Sequence, residues 1–135
     1  MFIEAELSRI VFSELDQVHL LFLREKAGRR EFPIVVGSVE AFIINRAVYE
    51  PTVPRPLTHH LLGSVIETLG GTLADVVISD VDEHTFYARL RIRRGEEVLE
   101  VDCRPSDAIA AAIMHTPRLR ILVEGRILEK LLRET

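Results

Sequence analysis

The stretch Glu100-Val101-Asp102-Cys103-Arg104-Pro105-Ser106-Asp107-Ala108-Ile109-Ala110 constrains the fold most, because an alternating strand runs straight into a helix there. Val101 and Cys103 point to one face of that strand, and Glu100, Asp102 and Arg104 to the other. Pro105 holds Arg104 extended and pre-sets the first helical turn, and Ser106 or Asp107 is placed to cap the helix. The helix body, Ala108 to Met114, is so small and apolar that it must pack closely against a sheet. Two carboxylates, a guanidinium and a hydroxyl thus converge at a strand-to-helix junction, the kind of place where loops carry function. A plainer reading of the same residues makes Asp107 a dipole-favoured terminal charge and Asp102 with Arg104 a local ion pair.

At 135 residues the chain fits one domain with a single sizeable core, and 47% hydrophobic with 28% charged residues excludes general disorder. The net charge of -4 argues against a broad electrostatic grip on nucleic acid, leaving a local patch as the route to DNA or RNA. No apolar run approaches the ~20 residues that span a bilayer, and Met1-Phe2-Ile3-Glu4 lacks a basic leader. A cytoplasmic protein without membrane contact is therefore expected. The lone Cys103 cannot form an internal disulfide, and strand parity turns it toward the core, where it serves packing.

Alternation reads Phe2 to Phe12 as a strand, Gln17 to Arg24 as a second, and Phe32 to Val36 as a third that stops at Gly37. Gly37 or Ser38 opens a helix carrying Val39, Ala41, Phe42, Ile43, Ile44, Ala47 and Val48. Pro51, Pro54 and Pro56 stiffen the loop from Glu50 to Leu57, which reads as a wall of a cleft. Thr58 is placed as the N-cap of a helix from His59 to Leu69, ended by Gly70-Gly71. Leu61, Leu62, Val65, Ile66 and Leu69 give that helix one apolar stripe. Leu73 to Ser79 and Thr85 to Arg93 are further strands; in the latter Phe86, Ala88, Leu90 and Ile92 face inward and Tyr87, Arg89, Arg91 and Arg93 outward.

A tight hairpin at Arg94-Gly95-Glu96 leads into Glu97 to Cys103. With Gly95-Glu96 as its loop, Arg91 faces Glu100 and Arg89 faces Asp102; with Arg94-Gly95, Arg93 faces Glu96 and Arg89 faces Glu100. Gly first in a two-residue loop favours the former. Either register keeps the face polar, so carboxylates across the strands neutralise the arginine row. Leu119 to Val123 is a short strand and Arg126 to Arg133 a helix. The whole reads as α+β: a single compact domain over residues 1–135, with a mixed or largely antiparallel sheet and about four helices packed on it.

No Gly-rich phosphate loop, zinc-type Cys pair, HExxH or nucleophile elbow is present. His59 and His60 are helix neighbours pointing about 100° apart, so one ion cannot easily take both. Arg55 is the cation least explained by local pairing, and Glu40, in the first turn after Gly37, is either a helix-start charge or a site carboxylate. Asp102 and Asp107, if brought together near Glu40, would hold a magnesium-type ion through oxygen ligands. A metal-bound water or a general base would then attack a phosphodiester while Arg104 or Arg55 steadies the developing charge.

Four stretches resemble the bifunctional nuclease domain family over nearly the whole chain, in the family's order. They are Phe32-Pro33-Ile34-Val35-Val36-Gly37 to Glu40-Ala41, Arg55-Pro56-Leu57-Thr58-His59, Thr85-Phe86-Tyr87-Ala88-Arg89-Leu90 and, above all, Asp102 to Ala110. The resemblance implies a compact α+β domain assembling as a homo-oligomer, a dimer being favoured. It also implies phosphodiester hydrolysis in DNA and RNA with little sequence specificity, aided by a divalent cation such as magnesium. It carries over Arg55, Thr58, His59, Asp102, Arg104, Ser106 and Asp107 as motif positions without assigned roles or metal ligands. We place Asp102, Asp107, His59 and Arg104 as catalytic candidates, and Arg55, Thr58, Ser106 and Glu40 as substrate-binding ones. The chain departs from the family at His60, where members often carry an acidic residue. The contrasting reading is a non-catalytic module for a small anion or a protein partner, favoured by the acidic charge, the missing metal motif and the self-paired arginines.

Overall fold

The computed structural model of the chain describes residues 1–13, 15, 17–49, 58–83 and 85–133, with 132 and 133 described by backbone alone. Alternating apolar residues build two antiparallel meanders. The first joins β1 (Phe2–Phe12), β2 (His19–Glu25) and β3 (Glu31–Val36); the second joins β4 (Thr72–Asp82), β5 (Thr85–Arg94) and β6 (Glu97–Cys103). A short strand, β7 (Arg120–Glu124), slots between them, antiparallel to β1 and parallel to β4. The result is one seven-stranded mixed sheet in the order β3-β2-β1-β7-β4-β5-β6. With helices α1 (Ser38–Tyr49), α2 (Thr58–Thr68), α3 (Pro105–Met114) and α4 (Gly125–Arg133), this is a single α+β domain.

One face of the sheet carries the core: Leu21, Leu23, Ile34, Val76, Ile78, Ala88, Leu90, Ile121 and Val123 pack with Ala41, Ile44 and Ala47 of α1 and with α3. α3 lies between α1 and α2 and against β4, β5 and β7. Eight of its ten residues are buried, so the small Ala-rich body packs on the sheet as its composition requires. Burying Ile109 alone is worth about 1.5–3 kcal/mol relative to leaving it in water. That burial anchors the junction at Arg104.

The hairpin takes the register with Gly95-Glu96 as loop, pairing Arg91 with Glu100 and Arg89 with Asp102. Gly95 has φ +62°, the left-handed value that a first-position glycine supplies. On the second face of the sheet Arg89 reaches Glu100 at 3.6 Å, while Arg91 turns the other way, to Asp75 of β4, with bonds of 2.6 and 2.8 Å. Asp75 is 4% exposed, a buried carboxylate inside a strand longer than its alternation suggests.

Other boundaries shift for identifiable reasons. β2 starts at His19 because Gln17 sits at φ +58°, which no strand accommodates. α2 ends as expected: Gly70 at φ +90° donates to Glu67 O and Gly71 donates to Ile66 O, the paired bonds of a Schellman end. Its apolar stripe is not covered, however. Leu61, Leu62, Val65 and Leu69 are 39–75% exposed, because the main contacts of α2 among the described residues are with α3 and β4, where Ile66 packs on the core.

Candidate functional site

β6 brings the chain to Arg104, whose extended backbone (φ -74°, ψ 150°) is the conformation that Pro105 demands of its predecessor. Arg104 is itself the N-cap position, and no side chain caps α3. This corrects the capping role expected of Ser106 or Asp107. Asp107, one turn in, instead turns back onto the Arg104 side chain. Arg104 Nε donates to Asp107 Oδ2 at 2.9 Å and Nη2 to Oδ1 at 3.0 Å, while Nη1 donates to Glu40 Oε1 at 3.1 Å. Glu40 comes from the first turn of α1, after Gly37, where an added Cβ would lie 2.7 Å from the Glu40 Oε2. Glycine there lets the carboxylate fold back toward the junction.

The electrostatics follow from these contacts. The guanidinium hydrogen bonds hold the Asp107 carboxyl below its usual range, and Asp107 and then Glu40 raise the pKa of Arg104. His59, in the first turn of α2, has Nε2 3.9 Å from Asp107 Oδ1. Burial pulls the imidazole below its ordinary value and outweighs the opposing pull of Asp107, so His59 is neutral at pH 7. Cys103 is half-buried. Burial first, then the charges of Asp107 and Asp102, push its thiol up to about 11, which makes it a packing residue and no nucleophile.

Glu40, His59, Arg104, Ser106 and Asp107 line a cavity of about 110 Å³ floored by Ile43 and Ile44. A second hollow of about 340 Å³ shares Glu40, Arg104 and Ser106 with it and adds Val36, Gly37, Thr85 and Phe86. The N-termini of α1 and α3 both open on this second hollow, through Gly37 and through Pro105 and Ser106.

Five of the eight site candidates are thus brought together. Asp102 is not among them: it pairs with Arg89 in the register of β6 and faces the side of the sheet away from α3. Thr58 is exposed and lines neither cavity. Arg55 and the proline loop lie outside the described residues. Thr85 and Phe86 were missed, although Thr85 opens a strand directly after a turn, a position from which side chains reach a cleft.

The oxygen set expected for magnesium, Glu40 with Asp102 and Asp107, does not assemble. Among the described residues no three His, Cys, Asp or Glu side chains are grouped to hold a metal ion. The Arg104 guanidinium lies where a cation between Glu40 and Asp107 would lie, so the donor set as arranged fits a guanidinium.

Residues 21–134 match the bifunctional nuclease domain, and the chain belongs to that family. It is 43% identical over 94 residues to the uncharacterized protein Rv1829 of Mycobacterium tuberculosis, a match covering 70% of this chain and 56% of that one. It is 29% identical over 83 residues to Bifunctional nuclease 1 of Oryza sativa subsp. japonica, covering 59% of this chain and 25% of that protein. The chain thus spans about half the length of the mycobacterial relative, at 56%. No helix among the described residues is long and apolar enough to cross a membrane.

Proposed function

We propose that this chain hydrolyses phosphodiester bonds in DNA and RNA, with Arg104 holding the phosphate and His59 taking the proton from the attacking water. The state of Arg104 carries the reading. A guanidinium has five N–H donors, and three are engaged by Asp107 and Glu40, leaving two without a partner among the described residues on a side chain that is 64% exposed. The carboxylates orient the fork without exhausting it. Glu40, Asp107 and Arg104 sum to one negative charge, which the two helix N-termini, each equivalent to roughly half a positive charge, offset. An anion is therefore admissible at the second hollow. Neutral His59 can accept the proton of water, and the imidazolium formed is stabilised by Asp107. The bond to the leaving oxygen breaks as the water oxygen bonds to phosphorus, and the released oxygen takes a proton from the imidazolium or from solvent. Family membership and the name of the rice relatives support the same reading.

The test is cleavage of single- and double-stranded DNA and of RNA by wild type, His59→Gln and Arg104→Ala prepared identically. His59→Gln should lose roughly 10²–10⁴-fold, the span of a general base, and Arg104→Ala a comparable factor. Since the guanidinium stands between the carboxylates, cleavage should survive EDTA; loss in EDTA would mean that a divalent ion displaces Arg104. Equal cleavage by all three preparations would mark a contaminant and sink the proposal. Absent cleavage with retained anion binding would favour the non-catalytic module, the reading that the net charge of -4 supports. We further propose that a second copy of the chain covers the exposed stripe of α2, whose Leu61, Leu62, Val65 and Leu69 leave a contiguous apolar helix face uncovered.

A further inference from the structure

We propose a second binding site, for a nucleoside monophosphate, where β7 stops short between its long neighbours. β7 has 5 residues and β1 has 11. β7 pairs only with Phe2 to Ala5 of β1, so along that edge Glu6 to Ile10 have no strand partner among the described residues. The gap is a cleft of about 520 Å³, within the ~300–1,000 Å³ of small-molecule sites. Its roof comes from the C-terminal ends of α1 and α3, through Asn45, Val48, Tyr49 and Ile113. Glu40 and Arg104 lie at the opposite ends of those helices; nine residues along α1, at 1.5 Å each, separate Tyr49 from Glu40 by roughly 13 Å. The cleft is therefore distinct from the first site.

Its charge runs against that of the chain. Within the lining Arg9, Lys26, Arg118 and Arg120 outnumber Glu4 and Glu6 by two, and the C-terminal ends of α1 and α3, each equivalent to roughly half a negative charge, leave about one positive charge on a protein of net charge -4. Arg9 is paired with Glu31 at 3.1 Å and Lys26 with Glu4 at 3.2 Å. Arg120 reaches Glu4 and Asp75 only at 3.9 and 3.8 Å, and Asp75 already holds Arg91. Arg118 makes no ion pair among the described residues and is exposed. Arg118 and Arg120 are two residues apart where the chain enters β7, and both line the cleft. Two such forks suit the oxygens of a terminal phosphate. Tyr49, 77% exposed, offers a ring for stacking beside Val48 and Ile113, and the Asn45 amide supplies one donor and one acceptor for a base edge.

The test is calorimetric titration of the full chain with adenosine monophosphate, adenosine and inorganic phosphate. Adenosine monophosphate should bind saturably and more tightly than either fragment. Arg118→Ala should weaken it at least about tenfold, the weight of a charge-assisted contact. Arg118→Lys should fall in between, and Tyr49→Ala should weaken the monophosphate while leaving phosphate unchanged. Arg118 is exposed and makes no ion pair among the described residues, so circular dichroism should find both Arg118 variants folded. No saturable binding, phosphate binding as tight as the monophosphate, or binding unaltered by Arg118→Ala would each overturn the proposal. Binding lost in Arg104→Ala but kept in Arg118→Ala would assign the nucleotide to the first site and overturn it too. No cleavage is read, so failure of the hydrolysis reading leaves this test intact.

Discussion

Replacing Asp75 by Asn removes one charge and little volume, and its cost can be worked from the contacts. The carboxylate is 5% exposed and accepts Arg91 Nε at 2.6 Å and Nη2 at 2.8 Å, with Arg120 at 3.8 Å. Removing one partner of a buried pair typically costs about 3–5 kcal/mol, because the other charge is left desolvated and unpaired. Here Arg91 keeps 25% of its side-chain surface in water and has Glu100 opposite it on β6, so the cost drops below that range, to about 2–3 kcal/mol. At about 2.1 cal/mol/K per residue, 135 residues give an unfolding entropy of about 0.28 kcal/mol/K. The melting midpoint should therefore fall by roughly 7–11 °C in a reversible scan followed by circular dichroism. Replacing both Asp75 and Arg91 by Leu should recover most of the loss, since a packed apolar pair removes the stranded charge. A single-variant shift below about 2 °C, or a double variant worse than the single, would refute the assignment of the penalty to an orphaned guanidinium.

The first site should make the fold acid-labile in two windows. His59 has a folded pKa below its unfolded value, so below pH ~6.5 the unfolded chain binds more protons and stability falls as pH drops toward the folded value. Asp107 is also lowered; its contribution is complete above the unfolded carboxyl pKa and lost as pH falls through the folded one. Urea midpoints between pH 7.5 and 5 should slope less in His59→Gln than in wild type, and an unchanged slope would remove His59 from the account. If a second copy covers α2, light scattering should find wild type dimeric and Val65→Asp shifted toward monomer. A monomeric wild type would rule that cover out.

What the sequence revealed, and what it hid, divides along local and distant contacts. The Arg89 and Arg91 register was readable because strand parity and a first-position Gly95 are local facts, two residues apart. The insertion of β7 between β1 and β4 was not, since alternation says which face a residue takes and nothing about which strand lies beside it. Asp75 went unread for that reason: a single carboxylate in an apolar run has meaning only once Arg91, sixteen residues on, is known to lie opposite. The same limit explains the candidate site. Arg104 with Asp107 is a spacing of three and was visible; Glu40, sixty-four residues away, could be nominated as a site carboxylate or a helix-start charge, but nothing in the sequence tied it to Arg104. Asp102 was grouped with Arg104 because strand parity was carried one residue too far. Parity stops at Cys103: Arg104 is the extended N-cap residue that Pro105 requires, and from Pro105 onward helix geometry sets the side-chain directions. What then brings Arg104 to Glu40 is the contact of α1 with α3 through small residues, Ala41 and Ala47 facing an alanine-rich helix. Bulk added at Ala108 or Ala111 would push the two N-termini apart, so the residues that decide whether a site forms here are methyl groups with no chemistry of their own.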